Sequence, residues 1–307
     1  ERAEAKRRGI PELERSEALG QLTEGYESVV GIAGCHGKTT ITSMLALICE
    51  QGGPDATVHI GGFVDFLNGG VRLGAHDMFI TEACEYVESF LTLRPTIALI
   101  NNIDNDHLDY YGDMEHIVAA FKKFAALLPE NGLLIGNTDD FRVRALMAEH
   151  TGRKLSYGMK DADYTPANTT YDDNGCPGFD IMFRGEKLMH IQLRIPGEHS
   201  VMNAIAAAAV AREIGADDKC IVSALNAFRN TRRRFEYYGE RNGVKYYHDY
   251  GHHPSEIAAT MKAASNVKHN KLFCVFQCNS YTRAKTLFLN DVTCFNLADE
   301  TLVPDIY

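Results

Sequence analysis

The sequence predicts an α/β protein with a mostly parallel central sheet, and three observations carry that prediction. The first is "ESVVGIAG", a β-branched run ending in glycine, followed by a glycine loop and then "KTTITSMLALICEQGG". The latter spaces Ile41, Met44, Leu45 and Ile48 as one face of a helix and stops at a glycine pair. The second is a pair of apolar runs, "HDMFITEACE" and "PTIALINNID", each ending in polar and acidic residues. That pattern suits parallel strands buried on both faces, whose carboxyl ends are where open α/β sheets hold ligands. The third is continued alternation: "MEHIVAAFKKFAALLPENG" reads as an amphipathic helix with a clear stop, and "GLLIGNTDD" as the next strand.

Each remaining segment has its own signal. From Gly158 to about Arg194 the pattern turns to alternation broken by Gly, Asn and Asp, which predicts a small antiparallel insert. "SVMNAIAAAAVAREIG" reads as a helix whose alanine run allows close packing. A domain boundary is expected near Asn230, after which strands "VKYYHDYG" and "KLFCVFQC" flank a helix, "PSEIAATMKAAS". The opening "ERAEAKRRGIPELER" reads as helical and the closing "ADETLVPDIY" as a strand, and both ends read as cuts.

Composition narrows the class. A chain of 307 residues suffices for two domains, and 45% hydrophobic with 23% charged residues is the balance of a globular protein. A net charge of −10 argues against broad nucleic-acid or anionic-membrane binding. Eight scattered cysteines without a C-x-x-C pair suit reduced thiols in a cytoplasmic protein. No apolar run approaches the length of a membrane span.

The chemistry concentrates in "GIAGCHGKTT", which ends as a phosphate-binding loop does, although Ile32 stands where the full G-x-x-x-x-G-K-[ST] pattern has its first glycine. Gly34 and Gly37 let backbone N–H groups converge at a helix N-terminus. Lys38 would reach the β/γ-phosphates and Thr39 would offer a hydroxyl to Mg²⁺. Cys35, at the same helix end, is expected to have a lowered pKa and a reactive thiol. Beyond the next two apolar runs lie Glu82, Cys84, Glu85 and Glu88, then Asp104, Asp106, His107 and Asp109. Hard oxygen donors and an imidazole suit a phosphoryl-transfer site, while Asp106 to Asp109 would equally cap the helix after Gly112. "RRRFE" adds arginines suited to spreading phosphate charge, and "HDYGHHP" places three histidines and an aspartate on a strand-to-helix turn.

Taken together, "GCHGKTT", "TEACEYVESFL", "NIDNDHLDYY", "PGEHSVMNAIAA", "RRRFE", "HDYGHHPSE" and "YTRAKTLF" resemble the motifs of the Mur ligases, in that family's order and across nearly the whole chain. The resemblance implies a central P-loop-type ATPase domain at 25–230, preceded at 1–24 by the end of a UDP-binding domain. A partial Rossmann-like α/β domain would follow at 231–307. It implies ATP and Mg²⁺ as cofactors, UDP-N-acetylmuramate and L-alanine as substrates, and an acyl phosphate between them. A tripeptide-adding recycling ligase and a non-ligating nucleotide-binding protein stand as alternatives.

Residue by residue, the resemblance implies that Gly34, Cys35, His36, Gly37, Lys38, Thr39 and Thr40 hold the ATP phosphates. It implies Mg²⁺ on Thr39, Glu82 and His107, and His199 and Asn203 facing adenine. Arg234, Asp249, His252 and His253 would join Lys38 and His107 in catalysis, and Tyr281 and Arg283 would lie near the muramoyl group. Two departures stand out: Cys35 replaces the usual threonine, and "FQCN", with Cys278 and Asn279, replaces "FQPH".

Overall fold

The computed structural model describes residues 2–75, 77–229, 231–278, 281, 285 and 292–305. Its helices are α1 (Arg2–Arg7), α2 (Arg15–Thr23), α3 (Lys38–Glu50), α4 (Leu108–Tyr111), α5 (Met114–Ala125), α6 (Phe141–Glu149), α7 (Glu198–Glu213), α8 (Asp218–Ala227) and α9 (Pro254–Ser265). The strands β1 (Ser28–Ala33), β2 (Thr57–Val64), β3 (Gly69–Arg72), β4 (Met78–Ala83), β5 (Ile97–Ile100), β6 (Leu133–Asn137) and β7 (Arg153–Tyr157) precede the insert. After them come β8 (Tyr164–Tyr171), β9 (Pro177–Phe183), β10 (Glu186–Gln192), β11 (Glu236–Arg241), β12 (Val244–His248), β13 (Phe273–Val275) and β14 (Glu300–Leu302). By contacts the chain divides into two units, one of residues 1–38, 55–59 and 71–155, the other of 39–54, 60–70 and 156–307.

In the first unit β1 lies between β4 and β5, parallel to both, with Ile32 beside Glu82 and beside Leu99. β6 extends the parallel set on β5, and residues 57–59 of β2 extend it on β4. The predicted parallel sheet is therefore present. Its core forms where Phe90 stacks on Phe124 at 4.8 Å and meets Phe121 edge-on at 5.3 Å, with Ile100, Ile117, Leu134 and Leu146 around them. Gly31 in β1 leaves room for Phe124, whose ring tip would lie 3.0 Å from an added Cβ. α5 is capped by Asp113, beyond the Asp106 to Asp109 stretch expected to cap it, through acceptance of the His116 N–H at 3.0 Å. Sequence reasoning ran the strand before α6 through Asp140. It ends at Asn137, because Asp140 caps α6 through the N–H groups of Arg142 and Val143.

In the second unit the predicted insert is a β8–β9–β10 antiparallel meander, and β7 meets β8 in parallel through Tyr157 and Tyr164. α7, whose run from Ala204 to Ala211 is buried, packs on β8, β9, α8 and α9. α8 lies at the end of α3, where the Cys220 thiol donates to the Ile48 carbonyl at 3.3 Å. The strand read in "VKYYHDYG" pairs antiparallel with β11, a strand that sequence reasoning missed, and β13 pairs in parallel with β14. The expected boundary at Asn230 lies outside the described residues, as do Asn279 and Arg283. Among the described residues no helix is long and apolar enough to cross a membrane.

Candidate phosphate-binding site

β1 delivers the glycine loop to the carboxyl ends of β4 and β5, and the loop is fixed there by the chain that leaves β5. The Asn101 and Asn102 side-chain amides donate to the His36 carbonyl at 2.9 and 3.0 Å, and Asn102 Oδ1 accepts the His36 N–H at 2.8 Å. Gly34 has φ +139° and Gly37 φ +86°, both outside the range that side chains favour. A Cβ on Gly34 would also sit 3.0 Å from Asn101 Cβ. The loop is thus built for glycine by conformation and by space. The His36 ring lies 3.0 Å from an Asp104 oxygen.

Lys38 opens α3 with its ammonium turned back over the loop, donating to the Gly34 and Cys35 carbonyls. It is also held by both oxygens of Glu85, at 2.7 and 3.0 Å. Burial is the largest single influence and would lower the lysine pKa, but the Glu85 carboxylate, together with Cys35 and Cys84, outweighs it and the net shift is upward, so Lys38 stays charged. The Glu85 side chain is only 2% exposed, which makes this a buried ion pair. His107 completes the group, with Nε2 3.9 Å from Glu85 Oε1 and 3.7 Å from Asp106 Oδ2.

The backbone around these groups is unusual. Val87 (φ +48°), Glu88 (φ +55°) and His107 (φ +57°) all occupy the left-handed region. Such residues are uncommon without glycine, and for β-branched Val87 the conformation is costly. The turn is held by Phe90 N–H on the Cys84 carbonyl at 2.9 Å and by a Lys123–Glu88 ion pair at 2.7 Å.

The structure sorts the sequence-based assignments. Glu85 rather than Glu82 meets Lys38 and His107. Glu82 remains on β4, where its charge acts on His59 of β2. The expected reactivity of Cys35 is overturned. Its thiol is buried and bridges the Asp104 backbone, accepting that residue's N–H at 3.1 Å and facing its carbonyl at 3.4 Å. Burial first, and then the Glu85 charge, push its pKa well up. The helix end cannot compensate for a thiol so enclosed.

In the second unit Thr39 and Thr40 form the first turn of α3, where Ser43 donates to the Thr39 carbonyl at 2.6 Å. Asn203 is buried in α7 and His199 is exposed at its start. Asp249 accepts the Phe235 and Gly251 N–H groups at 2.7 and 2.6 Å, so it ties the end of β12 back to the "RRRFE" segment. His253 caps α9 by accepting the Ser255 N–H at 3.4 Å. Arg234 reaches Glu256 at 3.3 Å, and His252 lies 3.7 Å from the same carboxylate. Tyr281 is exposed.

Glu85 stood in the acidic cluster read from sequence but was not selected, and Asn101, Asn102 and Tyr111 were missed. Periodicity carries no signal for them, because their roles depend on how three loops meet.

Known proteins of similar sequence and structure identify the family. Residues 32–211 match the Mur ligase middle domain, and residues 233–301 match the Mur ligase glutamate ligase domain. The chain is 44% identical over 99% of its length to the UDP-N-acetylmuramate–L-alanine ligase of Clostridium beijerinckii, and it spans 66% of that protein. It superposes on the UDP-N-acetylmuramate–alanine ligase MurC of Thermotoga maritima with a TM-score of 0.82 and 25% identity, covering 99% of this chain and 68% of that one. A murein peptide ligase of Psychrobacter arcticus gives a TM-score of 0.72 at 25% identity, with 98% and 68% covered. With the middle-domain match alone covering more than half of its residues, the chain belongs to the Mur ligase family.

Proposed function

We propose that this chain is the ATP-handling part of a ligase that joins L-alanine to UDP-N-acetylmuramate, a step in peptidoglycan precursor synthesis. The observation that carries the reading is the buried Lys38–Glu85 ion pair at a glycine loop, with His107 3.9 Å from Glu85. The 44% identical relative of that name directs it to L-alanine rather than to a tripeptide. In this reading residues 25–230 form the central domain, 231–307 part of a C-terminal domain, and 1–24 the end of a UDP-binding domain. The two family matches support the first boundary between them. Cytoplasmic location, and small molecules rather than nucleic acid as partners, follow from the substrates and from the net charge of −10.

Carboxylates are poor electrophiles, so the substrate carboxylate first attacks the γ-phosphorus of ATP, and ADP leaves. The alanine amine then attacks the acyl carbon, loses a proton, and phosphate departs. Lys38 would hold the β/γ-phosphates against the loop N–H groups. The Glu85 carboxylate is a hard oxygen donor suited to Mg²⁺, the borderline His107 imidazole 3.9 Å away could join it, and the Thr39 hydroxyl is next in the chain to Lys38. The ion would neutralise phosphate charge. Arg234, His252 and His253 would act from the C-terminal domain, His199 and Asn203 on the adenine, and Tyr281 and Arg283 on the muramoyl group.

Phosphate release by the complete encoded polypeptide tests the proposal. Release that requires both UDP-N-acetylmuramate and L-alanine supports it. A preference for tripeptide, or release with neither, would assign one of the alternatives.

A further inference from the structure

We propose that Tyr111 is a positioning residue that joins the backbones of Glu85 and His107 and so fixes the distance between their side chains. Tyr111 is 7% exposed and closes the short helix α4, which begins directly after His107. Its N–H donates to the His107 carbonyl at 3.0 Å, and its hydroxyl donates to the Glu85 carbonyl. One residue therefore holds the main chain of both candidate metal-binding residues.

Local structure alone would not maintain either end. The Glu85 carbonyl also accepts the Glu88 N–H at 2.9 Å, but that bond lies within the same turn and cannot register it against His107. The turn includes Val87 and Glu88 in the left-handed region, so it persists only where its surroundings impose it. His107 is left-handed too, and a four-residue helix has little stability of its own. The Tyr111 hydroxyl is thus a cross-link between two strained segments, placed on the backbone just behind the carboxylate and imidazole.

The proposal rests on the reading in which those two side chains hold Mg²⁺. The test is calorimetric titration of ADP into the same complete polypeptide across a Mg²⁺ series, comparing wild type, Tyr111→Phe and Tyr110→Phe. Tyr111→Phe removes only the hydroxyl. Partners that orient metal ligands are typically worth about 10- to 100-fold in metal affinity, so the Mg²⁺ needed for half-maximal ADP binding is expected to rise at least ~10-fold. Metal-free ADP affinity and the Tm without metal are expected to stay close to wild type, as is Tyr110→Phe throughout. An unchanged Mg²⁺ requirement in Tyr111→Phe overturns the proposal, as does an equal loss of metal-free ADP affinity, which marks a purely structural role. Wild-type ADP binding that is indifferent to Mg²⁺ overturns the metal reading itself, and this proposal with it.

Discussion

Two carboxylates among the described residues are buried against a lysine, and their settings differ in kind. Asp180 lies in β9 of the insert, accepting from Lys187 at 2.8 Å, His190 at 2.7 Å and Asn168 at 2.9 Å. Lys187 and His190 remain more than half exposed, so their charges are solvated while they satisfy the carboxylate. The left-handed positions nearby fall on Asn168 and on the Arg184–Gly185 turn of the β9–β10 hairpin, where residue type or turn type accommodates them. Glu85 is paired instead with a lysine only 14% exposed, beside left-handed Val87, Glu88 and His107. The insert shows a carboxylate serving the fold. The loop shows one held in place at a cost to the fold, as strained positions at functional sites commonly are.

The sharpest way to break this contrast is Lys38→Ala. Losing one charge-assisted phosphate contact of about 3 kcal/mol is expected to weaken nucleotide binding ~100-fold. Removing one partner of a buried pair is also expected to cost about 3 kcal/mol of stability, because Glu85 is left uncompensated. Adding Glu85→Gln should restore much of that stability without restoring binding. Denaturant unfolding and calorimetry on the single and double variants check both statements.

Glu85→Gln alone comes next. Lys38 is freed from its carboxylate partner, so metal-free ADP is expected to bind more tightly, while the Mg²⁺ dependence of binding weakens by about 10-fold or more. Equal losses with and without metal would contradict the distinction drawn here.

At Asp180 the expected effect is on stability only. Hydrogen bonds from Lys187, Asn168 and His190 hold its carboxyl well below the usual carboxylate range. A carboxylate lowered in the folded state contributes stability that is fully present above its unfolded pKa, about 3.9, and is lost as pH falls through the folded value. Asp180→Asn should therefore lower the Tm at neutral pH, with the gap to wild type closing below about pH 4. ADP binding should not change.

The smallest effect is expected at Val87. Asparagine tolerates the left-handed region far better than valine, so Val87→Asn should stabilise the chain by about 1 kcal/mol, read as a raised Tm. A loss of stability would show that the turn is not strained.

The same contrast explains what the sequence disclosed. Elements whose burial follows their periodicity were legible: β1, β4, β5, α5, α7 and the meander of the insert. β2 was missed because Gly61 and Gly62 interrupt "TVHIGGFV", and α6 because its apolar residues, exposed Phe141 among them, are spread around nine residues rather than gathered on one face. In the candidate site, the glycine loop was legible because its positive-φ and crowded positions call for glycine. The choice between Glu82 and Glu85 was not. It depends on a left-handed turn at Val87, a residue whose own preference argues against that turn.

The enclosure of Cys35 bears on covalent chemistry. An electrophile aimed at the glycine loop meets a protonated sulfur engaged with the Asp104 backbone, with a carboxylate close by to repel the thiolate it would need. Thiol-directed profiling of this protein will therefore report on its more accessible cysteines, Cys84, Cys220 and Cys274, and pass over the loop. Inhibitors for this pocket are better built as reversible anions that compete with Glu85 for Lys38 than as warheads for the neighbouring thiol.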